Sequence, residues 1–253
     1  AVGYLRQWLW LWGVHEPILA NHWDYRPFDK TPAVDLTSSD HCGFHRFMPL
    51  ANRKMVAVRL NDISLRYGRQ WTLIRLSAEI PARKATLITG DNGAGKTTLL
   101  RVIATALRPT KGHVEVFGLD AYANKDAVRS RMGMISHNSH LYYDLTAMEN
   151  LEQVRFFSGL SHTEAGLKAA LEGVGLGPYA NQMVRTFSAG MKRRLMIARL
   201  LLRDPQLVLL DEPFGQLDPS GVTLMKEVIA DLNHRGITVL LATHQHELGR
   251  SLC

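Results

Sequence analysis

Cysteine is scarce in this chain. Only Cys42 and Cys253 occur among 253 residues, which excludes a disulfide framework and suits a reducing, cytosolic compartment. Long hydrophobic runs are missing too. The longest apolar stretch near the N-terminus, residues 8–13, falls far short of the ~20 residues that cross a hydrocarbon core, so no segment is expected to span a membrane by itself. Internal repeats are absent, which leaves no basis for a repeat architecture. Basic residues outnumber acidic ones, 30 to 23, for a formal net charge of +7, but they are dispersed. The densest groups, Arg83-Lys84 and Lys192-Arg193-Arg194, are too short to form a stripe that neutralises nucleic-acid phosphates, and they read as solvated helix and loop faces. No nucleic-acid partner is expected; a surface near anionic lipid head groups suits the charge equally well. What is present in quantity is apolar side chain, 46% of the chain, enough for a packed α/β core and too much for a disordered or fibrous protein.

Composition changes near Met55. Residues 1–54 hold Trp8, Trp10, Trp12 and Trp23 together with His15, His22, His41 and His45, without a sustained helical or strand period. Three readings stay open for them. They form an arm that contacts a lipid interface through the tryptophans, they bind metal through His41, Cys42 and His45, or they are non-native sequence translated from upstream of a start at Met55. Metal is disfavoured because three ligands within five residues match no standard structural zinc pattern.

From Met55 onward, short β-rich runs alternate with helical patterns, as in a sheet flanked by helices. Strands are predicted at 56–60, 71–80, 85–89, 114–117 and 132–135, with a turn at Tyr67-Gly68 and a helix over 96–107. A mainly helical insertion follows at about 138–202, broken at Gly159 and around 175–178. The apolar runs 207–210 and 237–242 read as central parallel strands, which deliver Asp211-Glu212 and Thr243-His244 at the ends where open α/β sheets place ligands.

Gly90-Asp91-Asn92-Gly93-Ala94-Gly95-Lys96-Thr97 fits the phosphate-loop pattern GxxxxGK[ST] between a predicted strand and a predicted helix. Backbone N–H groups of such a loop converge on phosphate oxygens, the helix N-terminus adds positive potential, Lys96 reaches the β and γ phosphates, and the Thr97 hydroxyl ligates Mg2+. Thr98 follows within the same nucleotide-binding segment. An ordinary glycine turn is the bland alternative. Asp211 is a second candidate Mg2+ ligand and Glu212 a candidate for orienting or deprotonating the attacking water, although two acids before Pro213 could instead cap a helix.

Phe187-Ser188-Ala189-Gly190-Met191 resembles the LSGGQ signature of ABC ATPases. The order of phosphate loop, signature, Asp-Glu strand, Gly215-Gln216-Leu217-Asp218 and Thr243-His244 is similar to that family from Met55 to the C-terminus. The resemblance implies a P-loop NTPase of ABC type: an α/β fold with a mixed β layer, a parallel core sheet with flanking helices, and a helical subdomain. It implies two copies paired head to tail, each signature (Ser188, Ala189, Gly190) closing over ATP on the partner's phosphate loop. Ser188 as a helix N-cap suits contact with a γ-phosphate. The signature departs from the consensus at Phe187, Ala189 and Met191. By the same resemblance Tyr67 stacks on adenine, Asp218 lies at the dimer seam and His244 contacts the γ-phosphate. His137 stands where most members carry a glutamine linking Mg2+ to the helical subdomain, a departure that makes this position pH-sensitive. Arg83 stands where a turn glycine is common. Family domains continue past the His244 loop, so a chain stopping at Cys253 is expected to be truncated.

The run from Ile135-Ser136-His137 to Leu145-Thr146-Ala147-Met148-Glu149-Asn150-Leu151 resembles the haem-exporter ATPases of cytochrome c maturation, and drug and polysaccharide exporters share much of it. The expectation is therefore an ATP-hydrolysing subunit of an ABC exporter at the cytoplasmic membrane face, of haem-exporter type, with permease subunits as partners. An ATPase of a drug or polysaccharide exporter is the alternative. ABC ATPases acting on DNA or ribosomes usually carry a long coiled coil or two cassettes, whereas here 98 positions separate Gly90 from Ser188 without sustained heptads, and one cassette is present. A catalytically incompetent binding module is opposed by intact Lys96, Asp211, Glu212 and His244.

No motif draws on residues 1–54, so a chain beginning at Met55 is expected to bind ATP as the full chain does. Lost binding at unchanged stability, in a nucleotide titration of both chains, would give the N-terminal residues a part in the site.

Overall fold

The computed structural model describes residues 55–136, 140–215, 217–250 and 252. The arm readings for the N-terminal segment, the metal reading of His41, Cys42 and His45, and the positions His137 and Gln216 lie outside the described residues.

Two long strands open the domain, β1 (Val56–Tyr67) and β2 (Gln70–Pro81), antiparallel and joined by a turn at Gly68. β3 (Ala85–Ile88), α1 (Lys96–Ile103), β4 (Lys111–Val116), β5 (Leu119–Asp120), α2 (Lys125–Ser130) and β6 (Met132–Ile135) follow. Then come α3 (Ala147–Phe157), α4 (Glu164–Gly173) and α5 (Ala189–Leu202), and finally β7 (Leu207–Asp211), α6 (Pro219–His234), β8 (Thr238–Ala242) and α7 (His246–Arg250). An antiparallel sheet runs in the order β2-β1-β4-β5 and a parallel sheet in the order β3-β8-β7-β6.

The parallel sheet is the middle layer. Every residue of β7 and β8 is buried. Along β7, Leu207 and Leu209 enter one core while Val208 and Leu210 enter the other; along β8, Leu240 and Ala242 oppose Val239 and Leu241 in the same way. Such continuous apolar runs are what a strand covered on both faces requires. One core joins the antiparallel sheet to α1 through Leu60, Ile63, Leu100 and Ile103. The other holds α6 and the three helices between β6 and β7, through residues such as Leu151, Leu171, Ile197 and Met225.

Local signals explain most element ends. α3 starts at a capping box in which the Thr146 hydroxyl accepts from Glu149 N and Glu149 accepts from Thr146 N at 2.7 Å. Asn150, fully buried, ties the preceding loop down: it accepts from Tyr142 N at 2.9 Å and donates to the carbonyls of Tyr142 and Thr146. Arg83 adopts φ +60, the left-handed conformation that favours glycine, and its N–H donates to Thr238 Oγ1 at 2.9 Å.

Three elements differ from the sequence expectations by more than one residue at an end. β1 runs to Tyr67 because register shifts between Leu60 and Arg66 break its alternation without ending the strand. β4 starts at Lys111, three residues earlier than the apolar run indicates, since Asn61 and Ser64 of β1 pair with His113 and Lys111. α1 stops at Ile103 instead of 107, because Thr105 turns to φ +58 and Ala106 and Leu107 N–H groups both bond back to Arg101 O.

Candidate nucleotide site

Residues 89–95 connect β3 to α1, and Lys96, Thr97 and Thr98 form the first turn of that helix. Gly90, Gly93 and Gly95 have φ of +153, +86 and +90, the region in which a side chain is strained. Gly95 also needs its smallness: a Cβ there would lie 3.0 Å from Leu73 Cδ2 and 3.1 Å from Thr72 O. This close approach seats the loop on β2, next to the hairpin end where Tyr67, 49% exposed, pairs with Gln70. The loop closes on itself through Ala94 N donating to Asp91 O, 3.1 Å, while Asn92 and Gly93 stay exposed. α1 has no side-chain cap and no acid in its first turn, so its leading N–H groups remain available to an anion. Lys96 folds back over the loop, with Nζ donating to Gly90 O at 2.7 Å and Asp91 O at 3.0 Å. Those carbonyls hold the ammonium where phosphate oxygens would compete for it. Thr98, partly buried on the same turn of α1, forms none of these contacts.

One residue further, Thr97 Oγ1 donates to Asp211 Oδ1 at 2.9 Å, joining α1 to the end of β7. Asp211 is 1% exposed, and its Oδ2 is buried without a hydrogen-bond partner. A buried, unpartnered carboxylate oxygen is costly. Together with a hydroxyl it forms an all-oxygen donor set of the kind Mg2+ prefers, so the residues fit the cation.

Glu212 follows in a left-handed conformation, φ +48. Its backbone N–H donates to Ala242 O at 2.8 Å. Its carboxylate accepts from Thr243 Oγ1 at 3.1 Å and His244 N at 3.0 Å, and pairs with His244 Nδ1 at 2.9 Å. The adjacent strands β7 and β8 thus bring Asp211, Glu212, Thr243 and His244 together. A helix-capping role for the acids, the bland sequence alternative, matches none of these contacts, because α6 begins at Pro219 with Asp218 as its N-cap.

The signature residues stand apart. Ser188 caps α5, accepting from Met191 N at 3.2 Å, with Ala189 and Gly190 as the first helical residues. Among the described residues no hydrogen bond joins them to the phosphate loop. Asp218 accepts from Gly221 N at 2.9 Å and Ser220 Oγ at 2.6 Å, and Arg194 approaches it at 3.7 Å; the Ser220 hydroxyl leads the causes that hold its carboxyl below the usual range.

Sequence reasoning missed Arg193. Grouped with Lys192 and Arg194 as a solvated face, it is instead 7% exposed, and its guanidinium donates to Ser136 O at 2.9 Å, Glu212 O at 2.6 Å and Pro213 O at 3.3 Å. The available signal was its place on the helical stripe with Ile197 and Leu200, both buried.

The ABC transporter family profile matches residues 73–215. The chain belongs to that family. Its ABC relatives include the bacitracin transport ATP-binding protein of Bacillus licheniformis, 37% identical over 188 residues that span 74% of this chain and 61% of the relative. The Nod factor export ATP-binding protein I of Rhizobium johnstonii is 36% identical over 207 residues, 81% of this chain and 67% of the relative. Among solved structures, a dimeric ATP-binding cassette in a post-hydrolysis state with ADP and Pi superposes with a TM-score of 0.69 at 26% identity, covering 76% of this chain and 90% of that one. The chain thus spans less than two thirds of the bacitracin relative.

Lys96→Ala removes the loop's own cation and is expected to weaken ATP binding by about 10- to 100-fold, the loss typical of a charge-assisted hydrogen bond. Unchanged affinity in a direct binding assay would reject the phosphate-loop role.

Proposed function

We propose that this chain is an ATP-binding and ATP-hydrolysing subunit of an ABC exporter for antibiotics, drugs or comparable secreted molecules. The observation that carries it is the junction of Thr97, Asp211, Glu212 and His244: a hydroxyl-carboxylate pair with one free buried oxygen, directly followed by a carboxylate fixed by three donors. ATP sits with its phosphates on residues 90–98, Lys96 on the β and γ phosphates, and adenine against Tyr67. Thr97 and Asp211 would hold Mg2+, which would supply charge neutralisation at the phosphates. Glu212 orients and deprotonates the attacking water, while His244 fixes that carboxylate and reaches the γ-phosphate. Ser188, Ala189 and Gly190 act on ATP of a second copy and Asp218 lies at the seam between the two, a reading supported by their separation from the phosphate loop and by the dimeric solved relative. The bacitracin and Nod factor relatives support the drug-exporter alternative over the haem-exporter type, whose sequence basis includes His137, outside the described residues.

A membrane permease is the second partner. A cavity of about 500 Å3 beside α3 and α5 is lined by Arg129, Arg199 and Arg203 with His140, Tyr142 and Phe157, and no carboxylate is among the described residues that line it. Among the described residues these arginines donate to neutral oxygens of Thr105, His140 and Arg129, so the site suits a carboxylate brought by the permease segment. No helix among the described residues is long and apolar enough to cross a membrane.

Glu212→Gln keeps size and loses basicity. It is expected to bind ATP normally and to hydrolyse it about 100-fold or more slowly, accumulating as an ATP-bound dimer in light scattering; normal turnover would remove Glu212 from the chemistry. Arg199→Glu is expected to leave ATP binding intact and abolish assembly with the co-expressed permease. Intact assembly would place the permease elsewhere.

A further inference from the structure

Arg193 is a buried cation whose hydrogen bonds go to backbone carbonyls of two different segments. Ser136 O lies at the end of β6, and Glu212 O and Pro213 O follow β7. Burial works against the cationic form of Arg193, and the nearby charge of Asp211 favours it. The guanidinium stays charged regardless. A planar fork of five donors can span carbonyls that diverge in this way, whereas an ammonium, with three donors on one nitrogen, cannot.

Two features make this contact more than packing. Glu212 is in the left-handed conformation, φ +48, and nearly every polar group it has is engaged: N–H to Ala242 O, carboxylate to Thr243 and His244, carbonyl to Arg193 and to Gly215 N at 3.2 Å. A backbone held in a rarely populated region persists only when its surroundings over-determine it, so displacement of its carbonyl is carried into the carboxylate. Arg193 also lies in the second turn of α5, five residues after the cap Ser188. A movement of the helix start is therefore transmitted to the guanidinium through a rigid, hydrogen-bonded element.

We propose that Arg193 is a positioning residue that makes turnover at one ATP site depend on the nucleotide held at the other: it ties α5, whose Ser188 end meets the partner copy's ATP, to the backbone of Glu212 in its own site. This rests on the function proposed above. Closure of α5 on the partner's nucleotide sets the Glu212 carbonyl, and with it the carboxylate that receives the proton from water. With α5 not engaged by nucleotide, the carboxylate stays in its contacts with Thr243 and His244, without the shift that aims it at the water. Errors of about 1 Å at such a group cost on the order of 100-fold in rate.

The test uses the full chain as wild type, Arg193→Met, which keeps length without charge, and Arg193→Lys, which keeps charge without the fork. ATPase rate is followed against MgATP concentration, with MgATP Kd from a fluorescent nucleotide and the urea midpoint measured alongside. The wild type is expected to show a cooperative rate curve. Arg193→Met is expected to keep Kd within about twofold, lose about 10-fold or more in kcat and give a hyperbolic curve; Arg193→Lys is expected to retain nucleotide affinity and lose cooperativity. Wild-type kcat and cooperativity in both variants would overturn the proposal. So would a loss of kcat that only follows lost nucleotide affinity or a lowered urea midpoint in both, since that assigns Arg193 a structural role. A wild type that does not hydrolyse ATP would overturn the proposed function itself, whatever the variants do.

Discussion

The parallel pairing of β7 with β8 is the contact on which the rest of the molecule depends. Leu207 to Asp211 pair in register with Thr238 to Ala242, and alternate side chains are driven into opposite cores. A slip of one residue would exchange the two sets and bury each in the wrong core. The same register fixes what emerges at the C-terminal ends. Asp211 pairs with Ala242, so the next residues of the two strands, Glu212 and Thr243-His244, are brought within hydrogen-bond distance. The chemistry of the site is a consequence of how the strands are packed.

Polar groups around this pair are engaged from several layers. α1 reaches it from the antiparallel side through Thr97, α5 from the helical side through Arg193, and β8 supplies the donors to Glu212. Among the described residues of the site, one buried side-chain oxygen is left without a partner, Asp211 Oδ2. It marks where the protein's own groups do not suffice.

Much of this was legible in the sequence. The β6 run 132–135, the fully buried β7 and β8, and the loop of Gly90 to Thr97 are local in origin: an apolar stretch of strand length, or glycines at fixed spacing, carries its own reading. Features that arise from distant partners were not legible. β1 continues to Tyr67 through register shifts because β2 and β4 pair with it on both edges. α1 ends early because Thr105 turns left-handed beneath the bonds from Arg129. Arg193 was partly hidden for the same reason: flanked by Lys192 and Arg194 it reads as a solvated face, and although its stripe with Ile197 and Leu200 points inward, its partners, the carbonyls of residues 136, 212 and 213, are distant in sequence. The capping role of Ser188 was visible, since it depends only on the following turn.

Gly133 lies in β6 opposite Val208, and a Cβ there would fall 2.2 Å from Leu200 Cδ1 and 3.6 Å from Pro205 Cγ. The end of α5 therefore rests in a notch left by a missing side chain, which sets how closely that helix lies on the sheet. An inherited change at 133 would therefore be felt first at 200, whose leucine must swing aside or shrink if the helix is to keep its seat.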